Sequence, residues 1–157
     1  MITSTGEVDA KNRTMIVKIK GIEESLELVK ENPPKDLESF LNLGLIKDGI
    51  YQRVEFCIQN VLGICAVINS DLKLGVPSSE EEVVEHLVEN RILSSEMGKI
   101  VKEMKGFRNF LVHRYGKIDD EIAYENIVKG LENFYKFIDE IREFSKSFTK
   151  TKHNEQA

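Results

Sequence analysis

The sequence is poor in cysteine and lacks long apolar runs. Its two cysteines, Cys57 and Cys65, fall on one predicted helix and lie roughly 12 Å apart along its axis, too far for a disulfide within that helix. We interpret them as small buried hydrophobic residues of a protein in a reducing compartment. No apolar run approaches the length of a membrane span, and no secretory signal opens the chain. The expected location is therefore the cytoplasm, without membrane attachment.

An excess of basic residues is also missing. The 157 residues include 22 Lys and Arg against 27 Asp and Glu, a formal net charge of −5. Proteins that hold nucleic acid by charge alone usually carry a positive balance, so a general electrostatic grip is not expected. Basic residues nevertheless concentrate near one predicted helix: Lys99, Lys102, Lys105, Arg108 and Arg114. The sequence leaves open whether they form a solvated helix face or a local basic patch.

The hydrophobic pattern predicts helices throughout. Apolar residues recur at spacings of three and four, and no segment sustains the alternation typical of strands. We therefore predict an all-α, antiparallel up-and-down bundle of four long helices and one short helix. The domain should span Met15–Phe148, between a polar extension, Met1–Thr14, and a polar tail, Thr149–Ala157. The predicted helices are Met15–Glu31, Asp36–Asn69 with a soft point at Asp48-Gly49, the short Ser79–Glu89, Ser95–Tyr115, and a last helix from Asp119 or Asp120 to Phe148.

The helix from Ser95 to Tyr115 has two distinct faces. Its core stripe comprises Met97, Ile100, Met104, Phe107 and Leu111. On the other side Asn109 and His113, four positions apart, are neighbours beside Gly106 and Phe110. A small residue, an aromatic ring and two polar groups together indicate a surface that meets a partner.

Histidine offers the best candidate for chemistry. His86 lies among glutamates and is interpreted as a solvated or ion-paired surface residue, and His153 lies in the tail. No metal or cofactor is expected, because zinc-like spacing, Glu-x-x-His pairs and a phosphate-binding glycine loop are all missing. There remains His113 as general acid or base, with Arg108 stabilising charge on phosphate and Asn109 orienting the imidazole. Such a set can cleave RNA without a metal. From these residues alone, a capping or structural role is an equal alternative.

The motif Arg108-Asn109-x-x-x-His113-x-Tyr115 resembles that of HEPN-domain ribonucleases. The tyrosine two residues after the histidine narrows this resemblance to the HepT-like toxin branch of that family. The resemblance covers roughly Met15–Phe148. It includes the stretches Val76–Ser79, Leu93–Met97, Met104–Asn109, Val112–Tyr115 and Ile118-Asp119.

This resemblance implies a HEPN-like bundle and a homodimer whose motif helices meet in a composite cleft, with Gly106 and Phe110 at the interface. It implies metal-independent endoribonuclease activity on tRNA or mRNA, with Arg108, Asn109 and His113 as catalytic residues. It also implies a partner, a minimal nucleotidyltransferase antitoxin (MntA-like) that attaches AMP to the motif tyrosine, here Tyr115. The alternative is a non-catalytic helical binding module that docks such a nucleotidyltransferase or its substrate.

Overall fold

The computed structural model describes residues 3–31, 35–113 and 119–155, with side chains from residue 13 to residue 147 of these ranges. In these ranges the chain forms helices and no strands, so the predicted all-α bundle is confirmed. The helices are α1 Thr3–Glu31, α2 Leu37–Leu41, α3 Leu45–Asp71, α4 Glu80–Glu89, α5 Ser95–Val112 and α6 Asp120–Glu155. None of them combines the length and apolarity that crossing a membrane requires.

Two helices extend beyond their predicted limits. The first begins at Thr3 rather than at Met15, and the last continues to Glu155 rather than ending at Phe148. Hydrophobic periodicity marks only the part of a helix that packs against the core, so it does not detect polar turns that continue past that part.

The predicted long helix Asp36–Asn69 is wrong in one respect, because it is two helices. The chain breaks between α2 and α3 at Gly44, whose φ of +60° favours glycine, whereas Gly49 lies within α3. Asp36 caps α2 as its position predicts: its Oδ1 accepts a hydrogen bond from the Ser39 amide at 2.7 Å. Backbone hydrogen bonding from Ser39 also lowers the pKa of the Asp36 carboxyl. The bundle thus has two short helices rather than one.

The core is continuous and includes buried residues from each of the helices α1 to α6. Both cysteines lie in it as free thiols, and burial raises the pKa of each to about 12. They are therefore protonated at neutral pH, as expected of packing residues. The largest fully buried side chains are Tyr51, Phe40, Phe137, Ile22, Leu26, Ile58, Ile64, Leu87, Leu111, Ile138, Ile141 and Val61.

A polar contact fixes the start of α6 against α3. The Tyr51 hydroxyl donates to Asp120 Oδ1 at 2.5 Å, and Lys47 Nζ donates to Oδ2 at 2.9 Å. Burial acts to raise the pKa of Asp120, but these two hydrogen bonds and the charge of Lys47 outweigh it and lower the pKa overall. Asp119 caps the helix by accepting from the amides of Glu121 and Ile122. The predicted helix start is confirmed.

Candidate functional site

The helix that carries the motif is seated by its apolar face. Ser94 caps α5 by accepting a hydrogen bond from the Met97 amide at 3.1 Å. The predicted core stripe is confirmed: Met97, Met104 and Leu111 are buried, while Ile100 and Phe107 are partly buried. The structure adds Gly98 and Val101 to the buried residues of this helix.

Three of the four basic residues of α5 are paired with glutamates of α4. We call these three ion pairs the α4–α5 ladder: Lys102 with Glu85 at 3.2 Å, Lys105 with Glu81, and Arg108 with Glu80 at 2.9 Å. The hydrogen bond from Lys105 lowers the pKa of Glu81. These cations therefore form neither a bare solvated face nor an open basic patch, since each faces a carboxylate of the neighbouring helix.

Arg108 is the most constrained member of the ladder. Its two terminal nitrogens donate to the two carboxylate oxygens of Glu80 at 3.1 and 2.9 Å. Nη1 also donates to Gln59 at 3.3 Å, and both Nε and Nη2 donate to Asn109 Oδ1 at 3.3 and 3.0 Å. A guanidinium has five N–H donors, and these five hydrogen bonds use all of them. The side chain of Arg108 is only 11% exposed.

Asn109 contacts the arginine rather than the histidine. Its Oδ1 accepts from Arg108, whereas its link to His113 runs through the backbone, where the His113 amide donates to the Asn109 carbonyl at 3.0 Å. The expected contact of the Asn109 side chain with the imidazole is not present among the described residues. In this structure Asn109 orients the guanidinium.

His113 stands at the end of α5 as its C-cap residue, with φ −82° and ψ 52°. The helix ends at Val112, earlier than the predicted Tyr115. The side chain of His113 is exposed, and within the described part of the chain it has no hydrogen-bond partner. The predicted modification site, Tyr115, lies outside the described residues, as does Arg114.

The predicted interaction face is open in the single chain. Gly106 is exposed, and a Cβ built on it would meet no atom within 4 Å. Phe110 is also exposed, and its ring stacks on Phe107 with the centroids 6.0 Å apart. An aromatic ring beside a bare stretch of helix backbone allows another helix to approach closely.

Sequence reasoning missed Glu80 and Gln59 as partners of Arg108. Glu80 is the first of three glutamates in the first turn of α4. Carboxylates are favourable at the N-terminus of a helix, so nothing in the sequence pointed to a second role for Glu80. Only the packing of α4 against α5 shows that it reaches the arginine. His86 was predicted more closely: its Nε2 lies 3.5 Å from Glu82, but its Nδ1 also lies 2.8 Å from the amide oxygen of the buried Asn69. Within the described residues, no group of three or more His, Cys, Asp or Glu side chains could hold a metal ion.

The model of the family described as "Ribonuclease HepT-like" matches residues 22–141. The chain is 28% identical over 97 residues to the mRNA nuclease HepT of Shewanella oneidensis, covering 62% of this chain and 73% of that protein. It is 27% identical over 126 residues to a putative RNase of Archaeoglobus fulgidus, covering 80% and 89%.

A solved structure is similar as well. It is that of the tri-AMPylated Shewanella oneidensis HEPN toxin in complex with MNT antitoxin, with a TM-score of 0.75 and 25% identity, covering 83% of this chain and 97% of that one. The family model spans most of the chain, and the fold agrees with it. The protein belongs to the HepT-like ribonuclease family.

Proposed function

We propose that this protein is a metal-independent endoribonuclease toxin of a toxin–antitoxin system, located in the cytoplasm. The observation that carries the proposal is the end of α5. There a guanidinium held by Asn109 and an exposed imidazole at His113 occupy the positions of the HEPN motif, in a chain of the HepT-like family. The two free thiols support a reducing compartment.

The proposed reaction needs one proton acceptor and one cation. His113 takes the proton from a ribose 2′-hydroxyl, whose oxygen then attacks the adjacent phosphorus. Arg108 stabilises the negative charge that develops on the phosphorane oxygens. The P–O5′ bond breaks, the leaving 5′-oxygen takes up a proton from water, and His113 returns its own proton to the solvent. The products are a 2′,3′-cyclic phosphate and a 5′-hydroxyl end, with no redox change.

A homodimer completes the proposed site. The exposed face of Gly106 and Phe110 lies on the same helix end as Arg108 and His113. Pairing two such faces would bring two copies of the arginine and the histidine together. It would also raise the local positive charge of a protein whose total charge is −5.

The proposed regulator is a nucleotidyltransferase antitoxin similar to the MNT antitoxin found with the Shewanella toxin. We place the modified residue at Tyr115, two positions after His113 in the motif. An AMP group there would add bulk and a phosphate charge beside the cleft, blocking RNA and competing for Arg108. The proposed substrate is tRNA or mRNA. The similarity to the mRNA nuclease HepT of Shewanella oneidensis favours mRNA.

Cleavage of tRNA and of a defined mRNA transcript in EDTA tests the proposal, with wild type beside His113→Ala. The matched control is His153→Ala, which removes a histidine of the tail. Cleavage by wild type and the control only would support the ribonuclease. If no variant cleaves, mass spectrometry shows whether Tyr115 carries AMP. Inactive and unmodified protein would favour the alternative below.

The alternative is a helical binding module for a nucleotidyltransferase or its substrate. The observation in its favour is that every N–H of Arg108 is already used within the chain. In that case Phe110→Asp, which charges the exposed face, should abolish assembly, while His113→Ala should have no effect.

A further inference from the structure

We propose that Glu80 is an internal competitor of the RNA phosphate: its carboxylate occupies the phosphate-binding fork of Arg108 and must leave when RNA binds. This inference rests on the proposed function and adds a residue that sets substrate affinity. Glu80 lies on α4, outside the motif helix, and its contact with Arg108 is bidentate, with one carboxylate oxygen on each terminal nitrogen. Arginine uses this same paired geometry to bind phosphate oxygens.

Every N–H of Arg108 is engaged, so a phosphate can bind only by displacing a partner. Releasing Gln59 would free one N–H, too few for a bidentate contact. Releasing Asn109 would free two, but the phosphate would then sit on the arginine together with the Glu80 carboxylate, and like charges repel. Releasing Glu80 frees two N–H groups on two nitrogens and removes the repelling charge. It is therefore the partner that leaves.

The positions of the two side chains agree with this exchange. Glu80 is 44% exposed, whereas Arg108 is 11% exposed, so the carboxylate can turn into water while the guanidinium stays in place. Glu80 is the first residue of α4, where the helix dipole stabilises a carboxylate even without its partner. Asn109 keeps holding Nε and Nη2 after the exchange, which preserves the orientation of the fork.

The rest of the α4–α5 ladder provides a matched control. Glu81 lies in the same turn and pairs with Lys105, which the proposed reaction does not use. Glu80→Gln and Glu81→Gln each remove one negative charge from the same helix turn while keeping the side-chain size. A general charge effect would change both variants equally, whereas the release of Arg108 would change only the first.

The test measures binding of a fluorescent RNA oligonucleotide in which every ribose is 2′-O-methylated, so that the attacking hydroxyl is blocked. We expect Glu80→Gln to lower the Kd about tenfold, and Glu81→Gln by no more than about twofold. In an Arg108→Ala background the two substitutions should have the same small effect. Circular dichroism of each variant establishes that the bundle remains folded, which the exposure of both glutamates favours.

Two results would overturn the proposal. One is binding by Glu80→Gln that is unchanged, weaker or equal to that of Glu81→Gln, which would make the glutamate only a support for the arginine. The other is an effect that persists in the Arg108→Ala background. Neither depends on cleavage, so a protein that binds RNA without cutting it would contradict the ribonuclease while leaving the role of Glu80 intact.

Discussion

Arg108 and His113 belong to one motif and lie five positions apart at the end of one helix, yet their surroundings are opposite. The arginine is nearly buried and has five hydrogen bonds to three side chains from α3, α4 and α5. The histidine is exposed at the C-cap, and among the described residues its ring has no hydrogen-bond partner.

This contrast shows which half of the site a single chain can build. The hydrogen bonds from Nε and Nη2 to Asn109 fix the direction of the guanidinium before any substrate arrives, which is the preorganisation that electrostatic stabilisation requires. The imidazole has to acquire its orientation from outside the described residues, for which the proposed dimer partner and the substrate are the candidates.

Arg108→Lys tests most directly the residue that the single chain holds in place. Lysine keeps the charge but loses the planar fork, so cleavage should fall by roughly 100-fold to 1000-fold. The measurement is kcat on a defined RNA. Lys105→Ala, which removes the neighbouring rung of the ladder, should leave kcat unchanged. Equal activity of the Arg108→Lys variant and the wild type would show that the fork geometry is not used.

Leu111→Ala tests whether the core face seats both motif residues. Leu111 lies between Arg108 and His113 in the sequence, and its side chain is fully buried. Its truncation to alanine should reduce the free energy of unfolding by about 2–5 kcal/mol. Urea denaturation measures this change. The control is the adjacent, exposed Val112→Ala, expected to stay within about 0.5 kcal/mol. A similar result for the two variants would contradict the buried stripe.

Asp120→Asn tests the polar contact that holds the start of α6, the helix that follows His113 along the chain. Loss of the charge-assisted bonds from Tyr51 and Lys47 should cost about 1–2 kcal/mol at neutral pH. The folded pKa of Asp120 lies below its ordinary value of 3.8. Its stabilisation is therefore present above 3.8 and is lost as the pH falls through the folded pKa.

Urea denaturation of wild type and Asp120→Asn as a function of pH checks this prediction. The difference in unfolding free energy between wild type and variant should shrink below pH 3.8. It should disappear once Asp120 is protonated, because residue 120 is then neutral in both proteins. Glu121→Gln, an exposed neighbour without this contact, should show no such convergence. A difference that grows as the pH falls would have the wrong sign.

His113→Ala should have the smallest effect on stability, within about 0.5 kcal/mol, because its ring is exposed. Arg108→Ala should cost more, since it leaves partners of the guanidinium without their donor. Thermal unfolding of the two variants makes the comparison. If His113→Ala proved as destabilising as Arg108→Ala, the histidine would serve to cap the helix, which is the structural role that the sequence left open.

The fold was largely predictable because apolar periodicity records burial. It identified the core stripe of α5. Residue type predicted the caps: Asp36, then Ser78 or Ser79, then Ser94 or Ser95, and the structure has Asp36, Ser79 and Ser94 in these positions. Apolar periodicity failed at the break before α3, because Leu37, Phe40, Leu41 and Leu45 keep the helical spacing of three to four residues across the turn. A backbone change at Gly44 leaves no trace in hydrophobicity.

The site was predictable only in part. Local spacing identified Arg108 and His113 as candidates, but it paired the Asn109 side chain with His113. The structure pairs it with Arg108, because a long arginine side chain can fold back onto its neighbour. The contact with Glu80 depends on how two helices pack, which no spacing within one helix encodes. The roles of Gly106 and Phe110 at an interface stay predictions, as does the modification of Tyr115.

The close approach of α4 and α5 at Gly98 has a mechanical consequence. A Cβ there would lie 2.6 Å from Val88 Cγ2, so even a single methyl group would force Val88 or the helix that carries it to shift. Glu80 lies at the opposite end of the same ten-residue helix, roughly 12 Å from Val88. The missing side chain at position 98 therefore lets α4 pack closely against α5, and the same packing of these two helices brings Glu80 to Arg108.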